Sequence, residues 1–112
     1  MLIDPATKRH YESRARIAKA LAHPSRLLIL DLLQQGEQCV CHLTREVGAD
    51  QTTVSKHLSI LKNVGLVDDR KQGNWVYYRL RCKCIGGFFR CIESVMNQNL
   101  RTQVAAMGAR GK

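Results

Sequence analysis

Five cysteines are the residues of this chain best suited to chemistry. Cys39 and Cys41 form a Cys-Val-Cys unit, and Cys82, Cys84 and Cys91 form a second group nearer the carboxyl end. Five thiols cannot all pair within one chain, and the amino-terminal stretch lacks the apolar segment of a secretory signal. We therefore expect a cytoplasmic protein with reduced thiols, which are available as ligands for soft metal or metalloid ions.

Cys39 and Cys41 fall near the start of a helix that the sequence predicts from Glu37 to Gly48. Side chains two residues apart on a regular helix point in directions about 200° apart. Both thiolates could therefore hold one ion only if the first turn of the helix distorts, and such a distortion would act as a switch. In the alternative interpretation, both cysteines are small buried hydrophobic residues.

The second cysteine group lies where the predicted last helix begins. Cys84 and Cys91 are seven residues apart, which places them on one side of a helix, and Cys82 could bend back from the preceding loop. We therefore predict a second thiolate site here, within a subunit or across a dimer axis. In the alternative, Cys91 packs in the core and the other two are incidental.

The stretch from Gln51 to Val67 predicts a helix with two different faces. Val54, Leu58 and Leu61 recur at helical spacing and form a buried stripe. The opposite face carries hydroxyl, amide and cationic side chains, which hydrogen-bond phosphates and base edges. We expect His57, on the same helix, to pack or to contact phosphate. The candidate DNA-binding residues of this helix are Gln51, Thr52, Thr53, Ser55, Lys56, His57, Ser59 and Lys62.

A basic β-hairpin follows this helix. Two short runs of β-forming residues, Leu66 to Arg70 and Trp75 to Leu80, are joined by a turn at Gly73. A hairpin directly after such a helix is a wing, which can contact the DNA backbone or the minor groove. We expect Trp75, Tyr77 and Tyr78 to pack against the domain, and stacking on bases is the alternative. The candidate DNA contacts of the wing are Arg70, Lys71 and Asn74.

The whole pattern predicts a mainly α chain with one small β-hairpin. We expect a single winged helix-turn-helix domain over residues 1–106, followed by a disordered basic tail over residues 107–112. The wide apolar stripe of the last helix predicts a homodimer through the first and last helices. In the alternative, the first helix packs in the core of its own subunit. The predicted helices cover residues 6–22, 24–35, 37–48, 52–63 and 84–106.

Composition limits the possible classes of function. A length of 112 residues suits one domain, and a net charge of +9 favours a polyanionic partner such as double-stranded DNA. No apolar run approaches the ~20 residues that span a bilayer, so no membrane partner is expected. A thiol oxidoreductase is disfavoured, because the chain offers Cys-x-Cys units but no Cys-x-x-Cys and no nucleotide-binding loop.

Three segments together resemble the ArsR/SmtB family of bacterial metal-responsive transcriptional repressors. They are ALAHPSRLLIL, then EQCVCHLTREVGADQTTVSKHLSILKNVGLV, then the wing GNWVYYRL, and the resemblance covers roughly residues 17–92. The resemblance implies a homodimeric winged helix that is not an enzyme. It also implies binding to an imperfect palindromic operator over its own promoter, and release when a metal or metalloid ion binds.

The resemblance also implies ligands for the cysteines. Family members that sense As(III), Sb(III), Cd(II) or Pb(II) carry Cys-Val-Cys at the place of Cys39 and Cys41, which fits the preference of thiolates for soft ions. Some arsenic-responsive members have a third cysteine where this chain has Thr44. Cadmium and lead sensors add an amino-terminal cysteine, and no cysteine precedes Cys39. The third ligand therefore stays open.

Two other branches of the family bear on the second cysteine group. Cys82 and Cys84 occupy the Asp and His positions of the zinc-sensing branch, but Val95 and Gln98 replace its second pair, so a Zn(II) site of that form is not expected. Persulfide-sensing members use a second cysteine far along the last helix, and this chain has none after Cys91. A repressor of the same fold that senses thiol oxidation or reactive sulfur is therefore the alternative hypothesis.

Overall fold

The computed structural model describes residues 3–110, with side chains described as far as Gly108. Residues up to Cys82 form one compact unit, and residues from Lys83 onward form a second. No helix within residues 3–110 is long and apolar enough to cross a membrane. The elements are α1 (Pro5–Leu21), α2 (Pro24–Leu33), β1 (Gln38–Cys39), α3 (Val40–Val47), α4 (Gln51–Asn63), β2 (Val67–Gln72), β3 (Trp75–Leu80) and α5 (Ile85–Arg110).

The core of the first unit lies between α2, α3, α4 and the sheet. The apolar stripe predicted for α4 is confirmed, because Val54, Leu58 and Leu61 are fully buried. Burial of a side chain of this size stabilises the folded state by about 1.5–3 kcal/mol, so these contacts fix how α4 packs on the domain. The other fully buried large side chains are Ile29, Leu30, Leu43 and Val67.

Local capping sets both ends of α4. Asp50 accepts a hydrogen bond from the Thr53 backbone N–H at 2.7 Å and so caps the amino-terminal end of the helix. Gly65 ends the segment with a φ of 84°, in the left-handed region that favours glycine, and the Leu66 N–H then reaches back to the Leu61 carbonyl. The outer face of α4 is therefore held in one orientation along its whole length.

The sequence prediction missed one strand. A helix starting at Glu37 is wrong, because Gln38 and Cys39 form β1 and the helix begins only at Val40. Gln38 and Cys39 pair with Tyr78 and Tyr77 of β3, respectively. The antiparallel sheet thus has three strands in the order β1-β3-β2, not two. The extended backbone of Cys39 is stabilised by this pairing, which no short-range pattern in the sequence reveals.

The last helix, α5, is described by itself. It runs to Arg110, so residues 107–110 are helical where the sequence predicts a disordered tail, and Gly111 and Lys112 lie outside the described residues. Seven of its large apolar side chains are exposed, so the predicted stripe is open along the helix. They are Phe88, Ile92, Val95, Met96, Leu100, Val104 and Met107.

Candidate functional site

The outer face of α4 forms an open groove of polar side chains. Five of the residues predicted to bind DNA line this groove together with Ile60, and their hydroxyl, amide and ammonium groups all point to the same side of the helix. Such groups can bond both phosphate oxygens and base edges in a major groove. We call this surface the outer groove, and its polar residues are Gln51, Thr52, Ser55, Lys56 and Ser59.

Two cations predicted to contact DNA are held by acidic side chains of the same unit. Lys62 forms an ion pair with Asp69 at 2.8 Å, and the hydrogen bond to Asp69 raises the pKa of Lys62. Arg70 is paired with Glu37, and the hydrogen bond from Arg70 lowers the pKa of that carboxyl group. Each carboxylate neutralises part of the charge that its cation would offer to a phosphate, so both cations are weaker candidates for DNA contacts than an unpaired lysine.

The wing places its aromatic residues in three different environments. Tyr78 is buried, as the sequence predicts, and burial raises the pKa of its hydroxyl group. The guanidinium carbon of Arg70 lies over the ring of Tyr77, 4.6 Å from the centre of that ring. Trp75 is 56% exposed, so the expectation that it packs against the domain is wrong. Its position beside the turn leaves the indole ring open to a partner.

His57 turns towards the domain instead of the outer groove. Its ring lies 4.4 Å from that of His23, and its Nδ1 is buried with no hydrogen-bond partner among the described residues. Burial lowers the pKa of His57, and the neighbouring His23 and Arg26 lower it further. His57 is therefore a neutral packing residue at neutral pH, which agrees with one of the two roles predicted for it.

The remaining predicted DNA contacts lie at the edges of the same surface. Thr53 is half-buried and its backbone N–H is used by the Asp50 cap. Lys71 and Asn74 are exposed on the wing, and no ion pair among residues 3–110 involves Lys71. Lys71 is thus available to phosphate, whereas Arg70 and Arg79 of the wing each pair with a carboxylate.

Cys39 and Cys41 are brought together by the junction between β1 and α3. Cys39 has extended backbone angles and Cys41 lies in the first turn of the helix, so their Cα atoms are 5.4 Å apart and their sulfur atoms are bonded to each other. The distortion of a helix that the sequence prediction required is unnecessary, because Cys39 lies outside the helix. Burial as small hydrophobic residues is also wrong, since Cys41 is exposed and Cys39 half-buried.

A cleft of 390 Å³ connects this cysteine pair to α4 and to the wing, the two elements predicted to bind DNA. One wall is Cys39 and Cys41, and another is the start of α4, with Gln51 and Ser55. The third wall is the wing, which contributes Asp69, Lys71, Asn74, Trp75, Val76 and Tyr78. We call this space the dithiol cleft. Sequence reasoning missed it because the sequence predicts a helix in place of β1, the strand that brings Cys39 beside β3.

The second cysteine group is divided between the two units. Cys82 ends the first unit, whereas Cys84 and Cys91 belong to the second, in which Cys91 is exposed as a free thiol. Core packing of Cys91 is therefore wrong, and a second thiolate site stays a prediction. Within residues 3–110, no group of three or more histidine, cysteine or acidic side chains is arranged to hold a metal ion.

Comparison with known proteins identifies the family of this fold. Residues 23–69, from the start of α2 into β2, match the model of the bacterial regulatory proteins of the arsR family. An uncharacterized HTH-type transcriptional regulator of Methanocaldococcus jannaschii is 48% identical over 69 residues, which cover 61% of this chain and 78% of that protein.

Two further relatives carry more specific descriptions. The arsenical resistance operon repressor of Escherichia coli is 47% identical over 66 residues, which cover 58% of this chain and 56% of that protein. A solution structure from Mycobacterium bovis matches with a TM-score of 0.76 and 35% identity, covering 90% of this chain and 94% of that one. It is the homodimeric winged helix-turn-helix DNA-binding domain of a possible ArsR-family transcriptional regulator.

Proposed function

Because the chain belongs to the arsR family of bacterial regulatory proteins, whose winged helix-turn-helix binds DNA, we propose that it is a repressor controlled through Cys39 and Cys41. In this proposal it binds a palindromic operator as a dimer and leaves it when the cysteine pair takes up a thiophilic ion. The observation that carries the proposal is the position of Gln51 and Ser55. Both line the outer groove, and both also line the dithiol cleft.

The ligand class follows from the donor atoms. Two thiolates held side by side suit As(III) or Sb(III). Cd(II), Pb(II) and Zn(II) also bind thiolates and would compete for the same pair. A dithiol reductant must first convert the bonded sulfur atoms of Cys39 and Cys41 into two thiols and is itself oxidised to a disulfide. With arsenite, the two thiol protons and two arsenite hydroxides then leave as two waters, and one hydroxide stays on arsenic. The name of the Escherichia coli relative, an arsenical resistance operon repressor, favours arsenic among these ions.

The contacts of the cysteine pair explain how ligand binding would reach the DNA. Cys39 is paired in the sheet with Tyr77, so a shift of Cys39 moves β3 of the wing. Cys41 lies in α3, which packs directly on α4, and Val40 and Leu43 of α3 are buried. A change of sulfur position thus acts on the wing and on α4 at once. DNA binding requires the wing and α4 in the correct relative position, so a change at the cysteine pair would weaken it through both elements.

The dimer supplies the second half of the operator contact. The exposed apolar stripe of α5 is a surface that a second copy can cover, and large exposed apolar patches mark interaction sites. A symmetric dimer presents two α4 helices to the two halves of a palindrome. The homodimeric state of the Mycobacterium bovis domain supports this arrangement.

Fluorescence anisotropy with a labelled duplex from the promoter of the chain's own gene tests the proposal. The reduced protein should bind this duplex more tightly than a scrambled one, and stoichiometric arsenite should release it. Equal affinity for both duplexes would exclude sequence-specific repression. Binding that arsenite leaves unchanged would exclude control by this ion.

A second candidate function uses the same cysteines without a metal. The sulfur atoms of Cys39 and Cys41 are bonded in the structure, which favours sensing of thiol oxidation. In that reaction the two thiols lose two electrons and two protons, and an oxidant such as hydrogen peroxide is reduced to two waters. Release of DNA by peroxide in the absence of metal, reversed by a dithiol reductant, would favour this candidate.

A further inference from the structure

A pocket of 360 Å³ lies where α1, α2 and α4 meet, on the side of α4 away from the wing. Three cations line it, Arg16 and Lys19 from α1 and Arg26 from α2, and none of the described residues around it is acidic. We call these three residues the basic cluster. Among residues 3–110, no ion pair involves any of the three. In addition, Nε of Arg26 is buried without a hydrogen-bond partner.

The periodicity of α4 shows how this cluster relates to the outer groove. Gln51, Ser55 and Lys62 (i, i+4, i+11) form one edge of the polar face, and that edge adjoins the wing through the dithiol cleft and the ion pair of Lys62 with Asp69.

Lys56, Ile60 and Asn63 (i, i+4, i+7) form the opposite edge of the same face. Ile60 and Asn63 line the pocket of the basic cluster, and Lys56 and Ile60 line the outer groove. The outer groove is therefore flanked by the wing on one side and by the basic cluster on the other.

From this arrangement we propose that Arg16, Lys19 and Arg26 bind the phosphate backbone of duplex DNA on the side of α4 opposite the wing. The inference rests on the proposed DNA-binding function and adds a second backbone contact to it. Charge complementarity identifies the partner, since three cations without an acidic neighbour face a polyanion whose bases are read by the adjoining groove. The amide of Asn63 can donate to the same phosphates.

Salt dependence of binding tests the proposal with a matched pair of variants. Arg16→Gln and Arg14→Gln remove the same charge from exposed positions of α1, but the two side chains lie on opposite sides of the helix, about 200° apart. The R16Q change should lower the salt slope by about 0.9 for each phosphate that the protein no longer neutralises, and R14Q should leave it unchanged. The double variant R16Q/K19Q should bind operator about tenfold more weakly at physiological salt.

Ethylation interference shows which backbone phosphates of the operator the protein contacts. With the wild-type chain, phosphates on the side of α4 opposite the wing should be sensitive to ethylation, and R16Q/K19Q should abolish this sensitivity while phosphates beside the wing keep theirs. If R16Q/K19Q equals R14Q in affinity, slope and interference, the basic cluster does not contact DNA. Calorimetry with inorganic phosphate adds a third arm: binding that is abolished in R16Q/K19Q with DNA affinity intact would assign the pocket to a small anion and overturn the proposal.

The failure of this proposal is distinguishable from failure of the proposed function. If the wild-type chain shows no preference for operator and no salt-dependent binding, the DNA-binding function itself is wrong. If the wild-type chain binds normally and only the cluster variants are without effect, the function stands and the second backbone contact is wrong.

Discussion

Arg70 and Glu37 join the wing to the segment that carries the cysteine pair. The Arg70 Nε–H donates to both oxygens of the Glu37 carboxylate, at 2.9 and 3.0 Å, although the two residues are 33 positions apart in the chain. Glu37 directly precedes β1, so the guanidinium of the wing is tied to the strand that ends at Cys39. A residue that the sequence assigns to DNA is thus engaged within the protein.

Releasing Arg70 should strengthen DNA binding. Glu37→Gln removes the carboxylate and frees the guanidinium for phosphate, so affinity for any duplex should rise a few-fold and the salt slope should steepen by about 0.9 per additional phosphate bound. Anisotropy titrations between low and physiological salt measure both quantities. Glu46→Gln, an equal charge change on the exposed side of α3, is the control for charge alone.

A double-mutant cycle separates the effect of breaking the Arg70–Glu37 ion pair on DNA affinity from the effect of removing one negative charge. In an Arg70→Gln background, Glu37→Gln should act no more strongly than Glu46→Gln, because its effect requires the guanidinium. An effect of Glu37→Gln that persists in that background would show that Arg70 is not its target.

The outer groove should divide into residues that read sequence and residues that hold the backbone. Gln51→Ala should change base preference at one operator position by about 1–3 kcal/mol, since an amide can bond a base edge in two places. Lys56→Gln should weaken binding to all sequences alike and flatten the salt dependence. Binding to a library of operator variants measures both, and an unchanged preference in Gln51→Ala would contradict the assignment.

Truncation of the buried face of α4 should destabilise the domain. Leu58 is fully buried, so Leu58→Ala should cost about 2–5 kcal/mol of unfolding free energy. Ile60 is 38% exposed, and Ile60→Ala should cost distinctly less. Urea denaturation at one fixed protein concentration compares the two, and similar costs would mean that α4 does not pack as described.

Acid should destabilise the fold through His57. Burial depresses the pKa of this imidazole below its usual 6.5, so the unfolded chain binds a proton more readily than the folded one. The stability contributed by the neutral ring is complete above pH 6.5 and is lost as the pH falls from there through the folded-state pKa. His57→Gln should flatten the pH dependence of unfolding in this window, and His10→Gln, at an exposed position of α1, should not.

The elements that the sequence predicts well are those set by local spacing. The buried stripe of α4 and the turn at Gly73 depend on residues within a few positions of one another. Apolar periodicity and turn chemistry carry this information directly. The outer groove follows from the same periodicity, because the polar residues opposite a buried stripe must face outward.

The features that the sequence does not predict depend on distant partners. β1 exists because Gln38 and Cys39 pair with a strand about 40 residues later in the chain. Arg70 is ion-paired within the protein because the carboxylate of Glu37 lies beside it. His57 turns inward because His23, the N-cap residue of α2, provides its packing surface. Each of these contacts is tertiary, and each changes how a candidate site residue is used.

Arsenite titration of the DNA-bound, reduced protein tests most directly whether Cys39 and Cys41 control DNA binding, with Cys39→Ser/Cys41→Ser compared against Cys82→Ser/Cys84→Ser/Cys91→Ser. We predict that the wild-type chain and the second variant release operator as arsenite is added, while the Cys39→Ser/Cys41→Ser variant stays bound. Release by Cys39→Ser/Cys41→Ser together with retention by the second variant would contradict this prediction and assign control to the second cysteine group.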